Sequence, residues 1–234
     1  MPRMIVALMR HGEYQQLPDT PSAHQPFALT EQGREQARQS ASVLVDILTR
    51  ERLTLCPDVD SSNLLRAWQT ASILCGDLAA SCDVPIRHRG FDALAERSLG
   101  SAANLTVDQI EKILAEDPRF EPAPANWKSD SHYRLPLQGA ESLMQAGARV
   151  ARHLDKATTT LAATAKSDTL KLVVGHGAAM RHAAHKLGVL RFDQIAELSM
   201  YHAEPVLLEY RPGRDWLHVG GEWKVRHQGD EHAD

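Results

Sequence analysis

Six consecutive apolar residues, Met4-Ile5-Val6-Ala7-Leu8-Met9, run without a turn signal into Arg10-His11-Gly12-Glu13. A run this short, continuous rather than alternating, reads as a strand buried on both faces, as in a parallel sheet. A secretory leader would end in a small-residue cleavage site, and Arg10-His11-Gly12-Glu13 is not one, so the strand is the better reading. A second strongly apolar strand, Leu170 to Val174, runs into Gly175-His176-Gly177 in the same manner.

Helical patterns lie between such strands. After a polar loop through Pro26, Thr30 is a good N-cap for a helix whose Ala37, Ala41, Leu44 and Leu48 recur at three and four. Val59 to Ser61 reads as a short strand leading into a helix from about Arg66 to Ala80, with Ala67, Ala71, Leu74 and Leu78 on one face. Val84 to Arg87 is expected to be a third strand, and Val107 to Leu114 a short helix after Thr106. Pro118, Pro122, Pro124 and Pro136 punctuate a stretch without a period, which reads as a long surface loop. A long helix is expected over roughly Glu141 to Thr164, and another up to Leu187.

The C-terminal stretch, about 205–227, reads as a small β-meander. Its strands would be Val206 to Tyr210, Trp216 to Val219 and Trp223 to Val225, separated by Pro212-Gly213 and Gly220-Gly221. Trp216 and Trp223 are packing residues in this reading, and Asp230 to Asp234 a frayed tail. Strands alternating with helices predict an α/β sandwich with a mostly parallel sheet. With 234 residues and no internal repeat, a single domain over 1–234 is expected.

Composition narrows the classes of function. A formal charge of −4 gives no support to a nucleic-acid surface or an anionic-membrane surface. No apolar stretch approaches the ~20 residues of a membrane span. Cys56, Cys75 and Cys82 are odd in number and form no Cys-x-x-Cys pair. They read as reduced, buried thiols in a cytoplasmic setting. Nothing in the sequence sets an oligomeric state.

In an open α/β sheet, ligands bind beyond the carboxyl ends of the strands. Polar clusters fall there: Arg10-His11-Gly12-Glu13, Ser61-Ser62-Asn63-Leu64-Leu65-Arg66, Leu94-Ala95-Glu96-Arg97 and Gly175-His176-Gly177. Two arginines, two histidines and a carboxylate converging on one crevice suit a phosphate monoester. Arginine matches phosphoryl oxygens bidentately, a neutral histidine is a competent nucleophile, and a carboxylic acid can protonate a leaving alkoxide. Histidine is abundant, yet His182 and His185, three apart on one helix, have no third ligand of metal-site spacing. They read as a solvated helix face, and no metal or cofactor is expected.

The order of motifs resembles the histidine phosphatase superfamily, the phosphoglycerate-mutase-like proteins. Leu8-Met9-Arg10-His11-Gly12-Glu13 looks like its signature, and Leu29-Thr30-Glu31-Gln32-Gly33-Arg34-Glu35-Gln36-Ala37 resembles L-T-x-x-G-x-x-Q-A. Ser61 through Ala71 resembles S-S-P-L-x-R-A-x-Q-T-A, Gly139-Ala140-Glu141-Ser142 resembles G-G-E-S, and Val173-Val174-Gly175-His176-Gly177 resembles the V-x-x-H-G-x-x-R block, with Met180-Arg181 at its end and the arginine one residue past the pattern's. The resemblance implies a three-layer α/β/α sandwich. It also implies that His11 accepts the phosphoryl group, that Arg10, Arg66 and His176 form the phosphate pocket, and that Glu96 is the general acid. His202 falls where the family places a residue that can reach the phosphate. Glu13 and Glu141 are rival carboxylates for the acid, and Glu141 could instead cap its helix or orient Arg10.

Several positions depart from the family's patterns. Leu99 and Ala102-Ala103-Asn104 replace bulky or charged residues common in the phosphatases. Glu96-Arg97 resembles the mutases' E-R-x-Y-G, but Tyr14, Gln16 and Leu17 stand where mutases carry serine, tryptophan and asparagine. The expected function is therefore a metal-independent phosphomonoesterase acting on a small-molecule phosphate ester through a phosphohistidine. A phosphosugar or phosphoglycerate mutase is second, and a non-catalytic phosphate-binding module is a rival of another class.

Overall fold

The computed structural model describes residues 2–82 and 85–226. Strand β1 (Met4–Arg10) is buried at every position. Its Ile5, Ala7 and Met9 face the same way as Leu170, Leu172 and Val174 of β5 (Thr169–Gly175), while Val6, Leu8 and Val173 face the other. An apolar run without alternation is what two covered faces demand.

Helices α1 (Glu31–Glu51) and α2 (Leu65–Cys82) close the first face, and α4 (Leu143–Ala162) and α5 (Gly177–Lys186) the second. The side chains that the spacing points inward are those buried: Ala37, Ala41, Leu44 and Leu48 on α1, and Ala67, Ala71, Leu74 and Leu78 on α2. Full burial of a leucine such as Leu44 or Leu74 stabilises by about 1.5–3 kcal/mol. Thr30 Oγ1 accepts from Gly33 N at 3.0 Å, and Ser142 forms a capping box with Gln145. The short helix α3 (Val107–Glu116) starts from a second capping box, Thr106 with Gln109.

The main sheet runs β4 (Arg87–Phe91), β3 (Asp58–Ser62), β5, β1, β7 (Pro205–Tyr210), β8 (Leu217–Gly220), with β2 (Thr54–Leu55) also on β5. All pairs from β4 to β1 are parallel, and β7 and β8 add antiparallel partners. The result is a mixed α/β fold of the phosphoglycerate-mutase-like class, with a mostly parallel sheet between helical layers.

Three expectations change. The third strand begins at Arg87, later than predicted; Val84 lies outside the described residues. As the sheet edge it is held by backbone pairing to β3 and by Arg87 on Asp58, at 2.7 and 2.9 Å, so it carries no apolar signature. The proline-rich stretch has neither helix nor strand, yet it is not simply surface. Trp127 and Leu135 are buried with Ala23, Leu99, Ile110 and Leu114 in a third apolar cluster, and Trp127 Nε1 donates to Glu111 Oε1 at 3.0 Å.

The C-terminal meander keeps its first two strands. The third, β9 (Lys224–Val225), leaves the sheet after a turn at Gly221 (φ 70°) and pairs with β6 (Leu198–Ser199), which follows α6 (Phe192–Glu197). Trp216 is buried and Trp223 packs against the second-face core. The tail Asp230 to Asp234 lies outside the described residues. Cys56, Cys75 and Cys82 are free thiols. No helix among the described residues is long and apolar enough to cross a membrane.

Candidate active site

Strands β1, β3 and β5 end at one level, with Arg10 opposite Gly175 and Ser61 opposite Val174. The residues just past those ends therefore meet. His11, 2% exposed, donates its backbone N–H to Gly175 O at 3.0 Å. Its Nδ1 lies 2.7 Å from Gly12 O. A carbonyl only accepts, so Nδ1 carries the proton and Nε2 keeps its lone pair. Arg66 Nε donates to that Nε2 at 3.1 Å. Burial first, then the charges of Arg66, His176, Arg10 and His202, hold His11 well below its ordinary pKa, so it is a neutral imidazole.

Arg66, in the first turn of α2, is fully buried beneath the loop that follows β1. Its Nη1 donates to Gln25 O at 2.9 Å and its Nη2 to Ala23 O at 2.8 Å, with the Tyr14 ring 4.5 Å away. Burial lowers its pKa, but a guanidinium stays charged. Arg10 Nη1 donates to Met200 O at 3.1 Å, and a backbone bridge between Arg10 and His202 sets the His202 ring 5.8 Å from that of His11.

His176, the N-cap of α5, is 1% exposed, with its ring centroid 5.1 Å from that of His11. Its Nε2 is 2.9 Å from Ser62 Oγ, and its buried Nδ1 has no hydrogen-bond partner among the described residues. Burial, followed by Arg66, His24, Arg10 and Arg149, keeps this ring neutral as well.

Glu96 arrives by a 3-10 turn, Asp92–Leu94, after β4. Its Oε1 accepts from Arg97 N at 2.8 Å and Ala179 N at 3.1 Å, and its Oε2 from Ala178 N at 3.3 Å, at the amino end of α5. Arg149 holds the turn in place, with Nη1 donating to Asp92 O, Ala93 O and Ala95 O and Nη2 to Glu96 O. The rival carboxylates are engaged elsewhere. Glu13 Oε1 accepts from Thr30 Oγ1 at 2.8 Å; Glu141 pairs with Arg149 and accepts from Ser98 N. Ser142, not Glu141, caps that helix.

His11 thus lies beside Arg66, His176 and His202 beyond the strand ends, next to Arg10 in the chain, with Glu96 bonded at the start of α5 just after His176. Two glycines let the segment after β1 pack on the start of α1: a Cβ on Gly12 would stand 2.4 Å from Gly33 O, and one on Gly33 would stand 1.9 Å from Glu13 O. That close approach explains physically why the Arg-His-Gly and Leu-Thr-x-x-Gly motifs occur together.

Sequence reasoning gave no role to Thr70, His24 or Ser62. Thr70 Oγ1 accepts from Gly12 N and donates to Arg66 O, so the Gln-Thr pair of the third motif was the signal for it. His24 Nε2 donates to Glu96 O at 2.9 Å, and no motif marks it. His182 and His185 do not form a solvated face: His182 is buried between Ala178 O and Ser131 Oγ, and His185 Nδ1 bonds Leu190 O. Among the described residues, no group of three or more His, Cys, Asp or Glu side chains could hold a metal ion.

A desolvated imidazole in contact with a buried arginine therefore sits beyond the carboxyl ends of the parallel strands of an α/β protein. The chain belongs to the histidine phosphatase superfamily (branch 1), whose family model matches residues 6–221. Among solved structures it is similar to a mycobacterial glucosyl-3-phosphoglycerate phosphatase, with 23% identity over 96% of this chain and 98% of that one and a TM-score of 0.64. It is also similar to the alpha-ribazole phosphatase from Shigella flexneri (18% identity, 96% and 99% covered, TM-score 0.69). A third likeness is to a phosphoglycerate mutase from Bacillus anthracis (16% identity, 94% and 93% covered, TM-score 0.67). No curated protein matches the chain.

Proposed function

We propose that the protein is a metal-independent phosphomonoesterase acting on a small phosphate ester through a phosphohistidine at His11. The observation that carries this reading is the 2.7 Å contact of His11 Nδ1 with Gly12 O: a carbonyl only accepts, so the proton sits on Nδ1 and Nε2 is left as a neutral nucleophile. In the first step Nε2 attacks phosphorus and the bond to the leaving oxygen breaks, with Glu96 protonating that oxygen. In the second, water attacks the phosphoramidate, Glu96 recovers a proton from it, and His11 returns to its neutral form. Arg10, Arg66 and His176 stabilise charge on the transferring oxygens, with His202 at the rim. The solved phosphatases of similar fold, named for small phosphorylated compounds, support a substrate of that size. The three free thiols support a cytoplasmic setting.

Brief mixing with a phosphate-labelled ester and a base quench tests the mechanism, because a phosphoramidate is acid-labile and base-stable. Label on His11, absent in His11→Ala, is expected; label on an aspartate, or full activity in His11→Ala, overturns it. Release of inorganic phosphate in step with the alcohol separates hydrolysis from a mutase's transfer to a bound acceptor.

A further inference from the structure

We propose that Ser62 is a positioning residue that fixes the tautomer of His176, so that Nδ1–H of that ring is held as a donor for a phosphoryl oxygen. The assignment rests on the phosphatase reading for its ligand, but not for its chemistry. Ser62 is wholly buried at the last position of β3. Its Oγ accepts from Leu64 N at 3.1 Å and lies 2.9 Å from His176 Nε2. His176 is neutral, so one of its two nitrogens is bare.

The two tautomers have different consequences. With the proton on Nε2, Ser62 Oγ accepts twice, and the O–H of this wholly buried side chain has no acceptor among the described residues. A buried hydroxyl left unsatisfied is costly. With the proton on Nδ1, the Ser62 O–H donates to the Nε2 lone pair and every polar atom of Ser62 is satisfied. The second arrangement leaves Nδ1–H, buried and without a partner among the described residues, as the ring's remaining donor.

This sets two neighbouring imidazoles in opposite senses. His11 has its proton engaged by Gly12 O and its lone pair turned toward the Arg66 Nε–H. His176 has its lone pair engaged by Ser62 and offers a proton. A bare nitrogen at the second position would repel a phosphoryl oxygen, while a donor attracts it more strongly as charge develops. Ser62 acts only through His176.

The test is long-range proton–nitrogen NMR on protein labelled with nitrogen-15 histidine, with His176 assigned by subtraction of the His176→Gln spectrum. Wild-type His176 is expected to show a protonated Nδ1 and a bare Nε2, with the Nδ1 resonance moving on saturation with orthovanadate. Ser62→Ala should populate both tautomers and lose about 10–100-fold in kcat/KM, the usual effect of deleting a partner that orients a functional histidine. Ser62→Thr, which keeps the hydroxyl, should retain the wild-type tautomer. A wild-type ring protonated on Nε2 overturns the proposal by itself, whether or not any variant folds. So does a Nδ1 resonance indifferent to orthovanadate, or a Ser62→Ala protein with unchanged tautomer and kcat/KM. Failure of the phosphatase reading shows separately, as absence of turnover and of label on His11, while the ligand-free spectrum still decides the tautomer.

Discussion

Glu96 has both carboxylate oxygens against the amino end of α5, while Arg66 contacts the nucleophile itself. If Glu96 is the acid of the proposed reaction and Arg66 a stabiliser of charge, the two substitutions separate by leaving group. A general acid matters in proportion to how badly the departing oxygen needs a proton. Glu96→Gln should lower kcat/KM on an alkyl phosphate by about 10²–10⁴-fold while largely sparing para-nitrophenyl phosphate. Arg66→Ala removes charge stabilisation felt by every ester and should cost about 10²–10³-fold on both. Glu13→Gln should show no leaving-group dependence, because Glu13 is engaged with Thr30 at the start of α1. Parallel losses on the two esters in Glu96→Gln would remove Glu96 from the acid's role. The arginines also bear on metals: with Arg10 and Arg66 supplying the positive charge, excess EDTA should leave turnover intact. Loss on chelation, restored by one divalent ion, would contradict that.

Among the elements, the turn between β4 and Glu96 is the one whose placement rests on a distant helix. Arg149 of α4 donates to four of its carbonyls, and Glu141 holds Arg149 in turn. Arg149→Met should therefore mislay Glu96 and lower kcat/KM more on alkyl than on aryl phosphates. Removing one partner of this half-buried pair should also cost about 1–3 kcal/mol in urea unfolding. Equal losses on both esters would mean that the clamp supports the fold without placing the acid. Elements with a clear period and a cap were legible in the sequence, as at Thr30 before Ala37, Ala41 and Leu44. β4 was not, because an exposed edge of Arg87, His88 and Arg89 is held by backbone pairing that no side-chain pattern records. Trp127 looked like a loop residue because its cluster is assembled from segments without a common period. The candidate site was legible as motifs, yet the contacts that join those motifs span long separations: Ser62 to His176 across 114 residues, Gly12 to Thr70 across 58. Chain closure alone brings those pairs together.

Across the whole molecule, neutral buried histidines make folding stability depend on pH. His11 and His176 lie well below the ordinary histidine pKa, and burial first of all brings His182 down to about 4. In the unfolded chain each would titrate near 6.5. Below that value the unfolded state takes up a proton that the folded state refuses, so stability falls as pH drops, and this contribution is flat above 6.5. For His182 the loss runs from pH 6.5 to about 4 and amounts to about 3 kcal/mol once complete. This is the reverse of a histidine that gains an acidic partner on folding, which stabilises at low pH. His182 is suited to isolate the effect: it joins α5 to the 118–142 segment through Ser131 and is no part of the phosphoryl-transfer machinery. His182→Gln should lower stability at pH 8, where hydrogen bonds to Ala178 O and Ser131 Oγ are weakened. Its further loss between pH 6.5 and 4.5 should be smaller than the wild type's, because one proton-refusing group is gone. Urea midpoints measured at intervals across that range would give two converging curves. Parallel curves would mean that His182 takes up its proton in the folded state at the ordinary pH, and that the acid sensitivity belongs to His11 and His176 alone.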